Sequence, residues 1–180
     1  RQRQMCIRDS DKDGKKAACG VIEPSTVQIT SLGDYPGYTG GRMVRGLIGT
    51  TEMSTGIVIE GLITGLESSV TGGWHIHSGY SCSETPAGLT AGAVGGHYYG
   101  MYAPADDPWN IGNTFYESDN VGVARISKTM PSFSLYGEWP VYGRTVVVHE
   151  SDSAVKPACG VIGVGAASYE AVMPSMVKYV

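Results

Sequence analysis

The sequence lacks the features that mark membrane-spanning and nucleic-acid-binding proteins. No run approaches the ~18 consecutive apolar residues of a transmembrane helix. Its 13 lysines and arginines are outnumbered by 17 aspartates and glutamates, which gives a formal net charge of −4. These basic residues form no cluster of the kind that binds a phosphate backbone. We therefore expect neither a membrane nor a nucleic acid as a partner.

Long amphipathic helices are also missing, because no extended stretch repeats its apolar residues at helical period. Instead, 26 glycines and 9 prolines interrupt the chain between short runs rich in valine, isoleucine, threonine and tyrosine. The predicted strands are 26–32, 43–50, 55–66, 73–78, 114–117, 121–129, 144–150 and 158–164. About eight short strands predict an all-β antiparallel sandwich or flattened barrel.

Two short segments near the start of the chain recur near its end. KAACGVI at 16–22 matches KPACGVI at 156–162, and PSTVQI at 24–29 resembles PSMVKY at 174–179. Two matches in the same order predict a tandem array of similar units. The copies also set the expected boundaries of one complete unit.

We divide the chain accordingly into four parts. Residues 10–23 are the predicted tail of an upstream repeat, 24–165 one complete domain, and 166–180 a linker with the first strand of a downstream repeat. Residues 1–9 are polar and show no β pattern. They are either a leader, non-native or disordered, or a degenerate piece of an upstream copy.

Histidine is scarce as well, with four in the chain, and two of them lie one residue apart in GWHIHSG at 73–79. Side chains alternate between the faces of a strand. His75 and His77 therefore share one face, while the apolar Trp74 and Ile76 point into the core. This pattern predicts two neighbouring imidazoles on the outer face, as in a metal site or in a pair of surface histidines.

The remaining histidines follow segments that favour burial. His149 ends the apolar run RTVVVH, and a polar group rarely closes such a run without a partner. His97 follows the glycine-rich AGAVGG, which can turn a ring inward. Each alone is compatible with a histidine satisfied by one hydrogen bond. Four neutral imidazoles together suit copper or zinc, and three with a water suit catalytic zinc.

Four motifs resemble the copper/zinc superoxide dismutase family in order and register. They are GWHIHSG (73–79), GGHYYG (95–100), GRTVVVHE (143–150) and KPACGVIG (156–163), and the resemblance spans about residues 25–165. It implies a Greek-key β-barrel, immunoglobulin-like in architecture. It also implies an enzyme that converts superoxide into dioxygen and hydrogen peroxide.

The resemblance assigns roles to individual residues. It implies a copper site with four ligands: His75, His77, His97 and His149. Among these, His97 is the residue expected to leave copper and take a proton in the reduced state. Lys156 occupies the position of the family's arginine, where a positive charge attracts superoxide, although a lysine lacks the planar fork.

The resemblance also implies a disulfide between Cys82 and Cys159, for which two buried thiols are the alternative. Cys6 and Cys19 have no assigned partner.

Departures from the family pattern are equally informative. Zinc-containing members carry two further histidines and an aspartate after the bridging histidine, here His97. This chain has no further histidine, and Asn110 stands at the position of the aspartate. The segment from 149 to 159 is also short. Both features resemble the copper-only branch, whose members include secreted tandem-repeat proteins, so we expect copper without zinc, an extracellular location and neighbouring repeats as partners.

A copper-only site implies a carboxylate that supports the bridging histidine in place of zinc. Asp107 is the candidate and Glu117 the alternative, although either acid could instead be a solvated loop residue. Two other functions also remain open. One is a non-catalytic copper-binding or structural repeat of a secreted multi-domain protein. The other is a zinc hydrolase with three histidines and a water.

Overall fold

The structure is a computed structural model that describes residues 5–10, 16–22, 25–83, 94–151 and 155–164, the first two ranges as backbone only. Its elements are β1 (Met5–Ser10), β2 (Lys16–Ile22), β3 (Val27–Asp34), β4 (Arg45–Met53), β5 (Gly56–Thr64), β6 (Thr71–His77), a 3-10 helix (Pro104–Asp106), β7 (Phe115–Glu117), β8 (Ala124–Pro131), β9 (Thr145–Val148) and β10 (Ala158–Val161). Within these ranges no helix is long and apolar enough to cross a membrane.

Strands β3 to β10 form a nearly closed antiparallel barrel. Their order is β7-β6-β9-β10-β3-β4-β5-β8, and β7 contacts β8 to narrow the remaining gap. Across this gap the chain crosses from β5 to β6 past β8 and β7, and from β8 to β9 past β7 and β6, which is Greek-key connectivity. The predicted all-β Greek-key fold is therefore confirmed.

Each of the eight predicted strands is present, with differences of up to three residues at the ends. One of these is at 121–129, where β8 begins only at Ala124. The Asp119 carboxylate accepts hydrogen bonds from the backbone amides of Val121 and Val123, so this stretch is a turn. Such side-chain capping of a turn overrides the strand preference of valine.

Aromatic packing inside the barrel supports the segment that leads to the site. Trp74 on β6 and Trp109 in the loop before β7 are both buried. Their rings meet edge to face with centroids 6.4 Å apart, and the Trp109 ring also packs on Phe133 at 5.2 Å. Such contacts add to the free energy of apolar burial, so the residues beside these tryptophans are held in place.

A separate two-stranded sheet precedes the barrel. Residues 1–9 show no β pattern in the sequence, yet β1 lies at Met5–Ser10 and pairs antiparallel with β2. The strand is defined by its backbone pairing with β2. Its residues do not alternate between polar and apolar, so the sequence pattern did not indicate a strand. The predicted linker and downstream strand at 166–180 lie outside the described residues, and the repeat boundaries remain predictions.

Candidate metal centre

The β6–β9 ladder determines where three of the four histidines lie. In this antiparallel pair Trp74 is opposite Val148 and His75 is opposite Val147. The residue after β9 is His149, whose backbone amide donates to the Gly73 carbonyl at 2.8 Å. The two imidazoles of β6 and the one that follows β9 therefore lie on adjoining strands.

The fourth histidine reaches the same place through a short bridge beyond the glycine-rich loop. His97 forms an isolated antiparallel bridge with His77, and the next residue, Tyr98, donates its backbone amide to the Ile76 carbonyl at 2.9 Å. The loop therefore returns His97 to the end of β6.

All four rings lie together in one cluster. The ring centroid of His75 is 4.3 Å from that of His97, 4.8 Å from that of His149 and 6.4 Å from that of His77. The His77 centroid is 5.1 Å from that of His97 and 5.9 Å from that of His149. The structure thus brings together the four histidines that the sequence predicts to meet.

Three of the four rings are buried and His97 is partly exposed, which the strand pattern alone did not indicate. His75, His77 and His149 expose 4%, 3% and 5% of their surface, although the two on β6 point away from the barrel core. Later segments of the chain cover this outer face. The alternative of a surface histidine pair is therefore wrong.

Hydrogen bonds identify which ring nitrogens carry protons. The Nδ1 of His77 lies 2.8 Å from the Gly95 carbonyl, and the Nδ1 of His97 lies 2.6 Å from Oδ2 of Asp107. A carbonyl and a carboxylate can only accept, so both Nδ1 atoms donate. In the neutral form of each ring, the lone pair is then on Nε2. The buried Nε2 of His77 has no hydrogen-bond partner among the described residues.

A buried nitrogen without a partner is costly, and a metal ion is the natural acceptor of its lone pair. The rings are nevertheless not closed around a single point. Within 25–83, 94–151 and 155–164, no three histidine, cysteine, aspartate or glutamate side chains are grouped as around a bound metal ion. Imidazole rings can turn about the Cβ–Cγ bond, so rotation of the clustered rings can direct their nitrogens toward one ion. The residues present fit a metal ion that prefers nitrogen ligands.

Comparison with known proteins identifies the family. Residues 44–163 match the model described as copper/zinc superoxide dismutase. The chain belongs to the copper/zinc superoxide dismutase family. It is also 31% identical over 141 residues to superoxide dismutase Cu-Zn A of Xenopus laevis, covering 67% of this chain and 89% of that protein. Membership in the superoxide dismutase family supports copper as the cofactor and superoxide as the substrate.

Burial keeps the imidazoles of His75 and His77 neutral in this member of the superoxide dismutase family. Desolvation and, after it, the charges of the neighbouring histidines together lower the pKa of His75 to about 2. Desolvation likewise lowers the pKa of His77 to about 4, to which the other rings and Lys156 contribute. Neutral imidazole is the form that binds a metal, so these two rings are ready to bind at neutral pH.

The lowered pKa values predict that the metal-free protein loses stability in mild acid. Below a pH of about 6.5, His75 and His77 are protonated in the unfolded chain but stay neutral in the folded protein. The free energy of unfolding therefore falls as pH falls. Between pH 7.5 and 5.5 we expect a loss of about 2 to 3 kcal/mol for the two groups. Urea unfolding of the metal-free protein at both pH values measures this loss. An unchanged free energy of unfolding would contradict the lowered pKa values of His75 and His77.

Of the two candidate carboxylates, only Asp107 reaches the cluster. Its Oδ2 accepts the Nδ1 hydrogen of His97, while its Oδ1 accepts the backbone amide of Trp109 at 2.8 Å. Glu117 is exposed on β7 and faces a groove that it shares with Phe115. Asn110 donates its side-chain amide to the Asp107 carbonyl, so it supports the turn that carries the carboxylate.

The predicted disulfide is present and lies beside the histidine strands. Cys82 and Cys159 are joined, with their Cα atoms 5.9 Å apart, so the alternative of two buried thiols is wrong. Cys159 is opposite Val147 in the β9–β10 ladder, and both belong to a small buried cluster with Tyr35. The disulfide therefore fixes the segment after β6 to the strand next to His149.

Lys156 lies in a groove next to the site and remains partly exposed. Its Nζ is 5.5 Å from the ring centroid of Tyr35. Glu150, which lines the same groove, accepts a hydrogen bond from the Tyr38 hydroxyl at 2.5 Å and faces Nε of Arg42 at 3.6 Å. Because these partners offset the Glu150 charge, the groove can keep a positive potential at Lys156.

Sequence reasoning missed two residues that contact His75. The Thr114 hydroxyl lies 3.1 Å from its Nδ1, and no motif marked this threonine. On the other side, a Cβ on Gly73 would lie only 2.6 Å from its Nε2. The adjacent glycines before Trp74 could have indicated such a close approach.

Proposed function

We propose that the protein dismutates superoxide to dioxygen and hydrogen peroxide at a mononuclear copper site without zinc. Its four ligands are His75, His77, His97 and His149. The observation that carries the proposal is the clustering of four imidazoles, three of them buried, around the unpartnered Nε2 of His77. Family membership supports the same reaction.

When bound, copper would supply the one-electron chemistry by which one superoxide is oxidised and another reduced. The second half of the cycle needs two protons, and His97 is placed to hold one of them. Its Nδ1–H stays on Asp107, so a proton can be taken and given up at Nε2. The adjacent carboxylate stabilises the imidazolium that results.

The absence of zinc is supported by the residues near His97. All four histidines of the chain belong to the cluster, so none remains to bind a second metal, and Asn110 is a poor substitute for an aspartate ligand. Asp107 instead bonds to the nitrogen of His97 that a bridging histidine would offer to zinc. A carboxylate in this position fixes the tautomer and direction of the ring.

This role of Asp107 predicts a specific loss in the Asp107→Asn variant. An amide can still occupy the space, but it cannot supply the negative charge that favours Nδ1–H on His97. We expect copper affinity or turnover to fall about 10- to 100-fold. The matched control is Glu117→Gln, which removes an exposed carboxylate on β7 and should change neither. Equal effects of the two substitutions would contradict the assignment.

Lys156 is proposed to guide superoxide to the site through its positive charge. In the Lys156→Gln variant the rate constant with superoxide should fall on the order of tenfold at low ionic strength, and its salt dependence should flatten. Lys128→Gln on β8 makes the same change in net charge away from the groove. If the rate constant with superoxide falls equally in both variants, the effect comes from overall charge. The proposed local role of Lys156 is then wrong.

We also propose that the domain is one unit of a secreted tandem array. Two observations support it: the sequence repeat, and a common strand pairing. Cys19 of β2 and Cys159 of β10 each lie on a strand paired antiparallel with the strand before it, opposite Arg8 and Val147 respectively. The intrachain disulfide is compatible with an extracellular location. Intact mass and disulfide mapping of the native secreted protein would test both points.

The deciding experiment is reconstitution of the metal-free chain with copper, with zinc, and with both. We expect about one copper per domain, no additional zinc when both are offered, a cupric paramagnetic resonance spectrum with nitrogen coupling, and rapid decay of superoxide. Copper binding without superoxide decay would support a non-catalytic repeat instead. A preference for zinc over copper would overturn the proposal and favour the hydrolase alternative.

A further inference from the structure

Lys156 is the positive group of the groove beside the histidine cluster, and its direction is not set by an ion pair. A lysine ammonium is a point charge on a flexible four-carbon stem. Within the described side chains no carboxylate forms an ion pair with Lys156. Glu150 lines the same groove, but its Oε1 accepts the Tyr38 hydroxyl and faces Nε of Arg42. The direction of the ammonium is therefore left to another contact.

The ring of Tyr35 supplies that contact. The Nζ of Lys156 lies 5.5 Å from the centroid of this ring, within the range of about 6 Å over which an ammonium is attracted to an aromatic face. An aromatic ring carries no net charge, so it can hold the ammonium without neutralising it. A carboxylate in the same place would cancel the charge. The contact with Tyr35 therefore leaves the positive charge available to an incoming anion.

Tyr35 is itself held in place by both its side chain and its backbone. It is 7% exposed and belongs to the small buried cluster that contains Val147 and Cys159. Its backbone amide donates to the carbonyl of Pro157, the residue after Lys156, at 3.0 Å. The ring and the backbone of one residue therefore contact the same short segment. Because Val147 lies on β9, the strand that leads into the histidine cluster, this anchor is shared with the site.

We propose that Tyr35 is a positioning residue, whose ring face holds the Lys156 ammonium beside the histidine cluster so that its charge attracts superoxide. A lysine needs such support because it lacks the planar fork with which an arginine makes several directed hydrogen bonds. No motif in the sequence marked Tyr35. The consequence for superoxide rests on the proposed function, whereas the contact between Lys156 and Tyr35 does not.

The test compares Tyr35→Leu, which loses the ring, with Tyr35→Phe, which keeps the ring and loses the hydroxyl. In the copper-loaded protein at low ionic strength, the rate constant with superoxide per bound copper should fall about two- to fivefold in Tyr35→Leu. Its salt dependence should flatten as well. Tyr35→Phe should stay near wild type, and equal losses in the two variants would overturn the inference. The matched control is Tyr136→Leu, which removes an exposed tyrosine outside the groove and should change neither quantity.

A variant of Lys156 separates positioning from a merely structural role. If Tyr35 acts through the ammonium, Tyr35→Leu should cause no further loss of rate in a protein that already carries Lys156→Gln. A further loss of the same size in the double variant would show that the ring acts independently of Lys156, and the inference would be wrong.

The contact itself is measured by proton NMR on the folded metal-free protein. The aromatic ring should move the ε-methylene signal of Lys156 upfield in wild type and Tyr35→Phe, and this shift should be lost in Tyr35→Leu. An unshifted signal in wild type overturns the inference without any variant, so the test still decides if Tyr35→Leu does not fold. An upfield signal in a protein whose copper-loaded form does not react with superoxide would overturn the proposed function and leave the contact between Lys156 and Tyr35 intact.

Discussion

Replacing His77 by asparagine is expected to abolish superoxide dismutation and to weaken copper binding by more than the effect of any outer hydrogen-bond partner, on the order of 100-fold or more. His77 is 3% exposed, and its Nε2 has no hydrogen-bond partner among the described residues. Asparagine offers no ring nitrogen at that position. The proposed site would then retain three histidines.

The same substitution should leave the barrel folded. Trp74 and Ile76, the core-facing residues of β6, are unchanged, and the β6–β9 ladder depends on the backbone. The variant loses the bond from Nδ1 to the Gly95 carbonyl but also removes a buried nitrogen that had no partner. We therefore expect the free energy of unfolding of the metal-free protein to change by no more than about 1 to 2 kcal/mol.

Equilibrium dialysis against copper, a superoxide-decay assay and urea unfolding measure the three quantities on the same preparation. The control is Thr129→Ala, an exposed substitution on β8 that should alter none of them. Retention of full copper affinity in a folded His77→Asn variant would contradict the proposed four-histidine site.

The second large effect is expected on removing the disulfide, in a variant with both Cys82→Ser and Cys159→Ser. The disulfide joins residues separated by 77 positions, so it restricts a long loop of the unfolded chain. In the chain-entropy account this is worth about 4 to 5 kcal/mol, an appreciable share of the stability of a domain. We expect the urea midpoint of the metal-free variant to fall accordingly.

Loss of the disulfide should also affect the site. Cys82 lies between β6 and the segment that carries His97. Val94, three residues before His97, belongs to the same buried cluster as Cys159. Without the covalent attachment, binding copper must also order this segment, so copper affinity should fall together with stability. Reductant supplies the internal control, since it should destabilise the wild type and leave the double variant unchanged. A wild type that resists unfolding equally well with and without reductant would contradict the prediction.

Much of the fold was predictable because strand periodicity is a local signal. The alternation across Trp74, His75, Ile76 and His77 gave the correct faces of β6, and the apolar run before His149 gave a buried strand. The start of β8 was misplaced because the side chain of Asp119 bonds to two amides ahead of it. Such capping depends on a particular side-chain conformation, which strand propensity does not describe.

The site was predictable only in part. Spacing placed His75 and His77 together, but their burial depends on segments distant in sequence. Family resemblance pointed to Asp107, whereas the residues alone did not separate it from an ordinary solvated loop acid. Thr114 was not found at all, because its approach to His75 arises from a turn that is anchored by Trp109 inside the core. Contacts made by tertiary structure leave no periodic trace in a sequence.

Strand β6 is buried on both of its faces from Gly72 to His77, one side by the barrel core and the other by the histidine cluster. In a saturation mutagenesis experiment, a half-buried strand would tolerate substitutions at every second position. Here six consecutive positions should each reject most replacements, because adjacent residues serve either packing or chemistry. Among homologous sequences, substitutions should then accumulate on β4 and β5, whereas β6 should change very little.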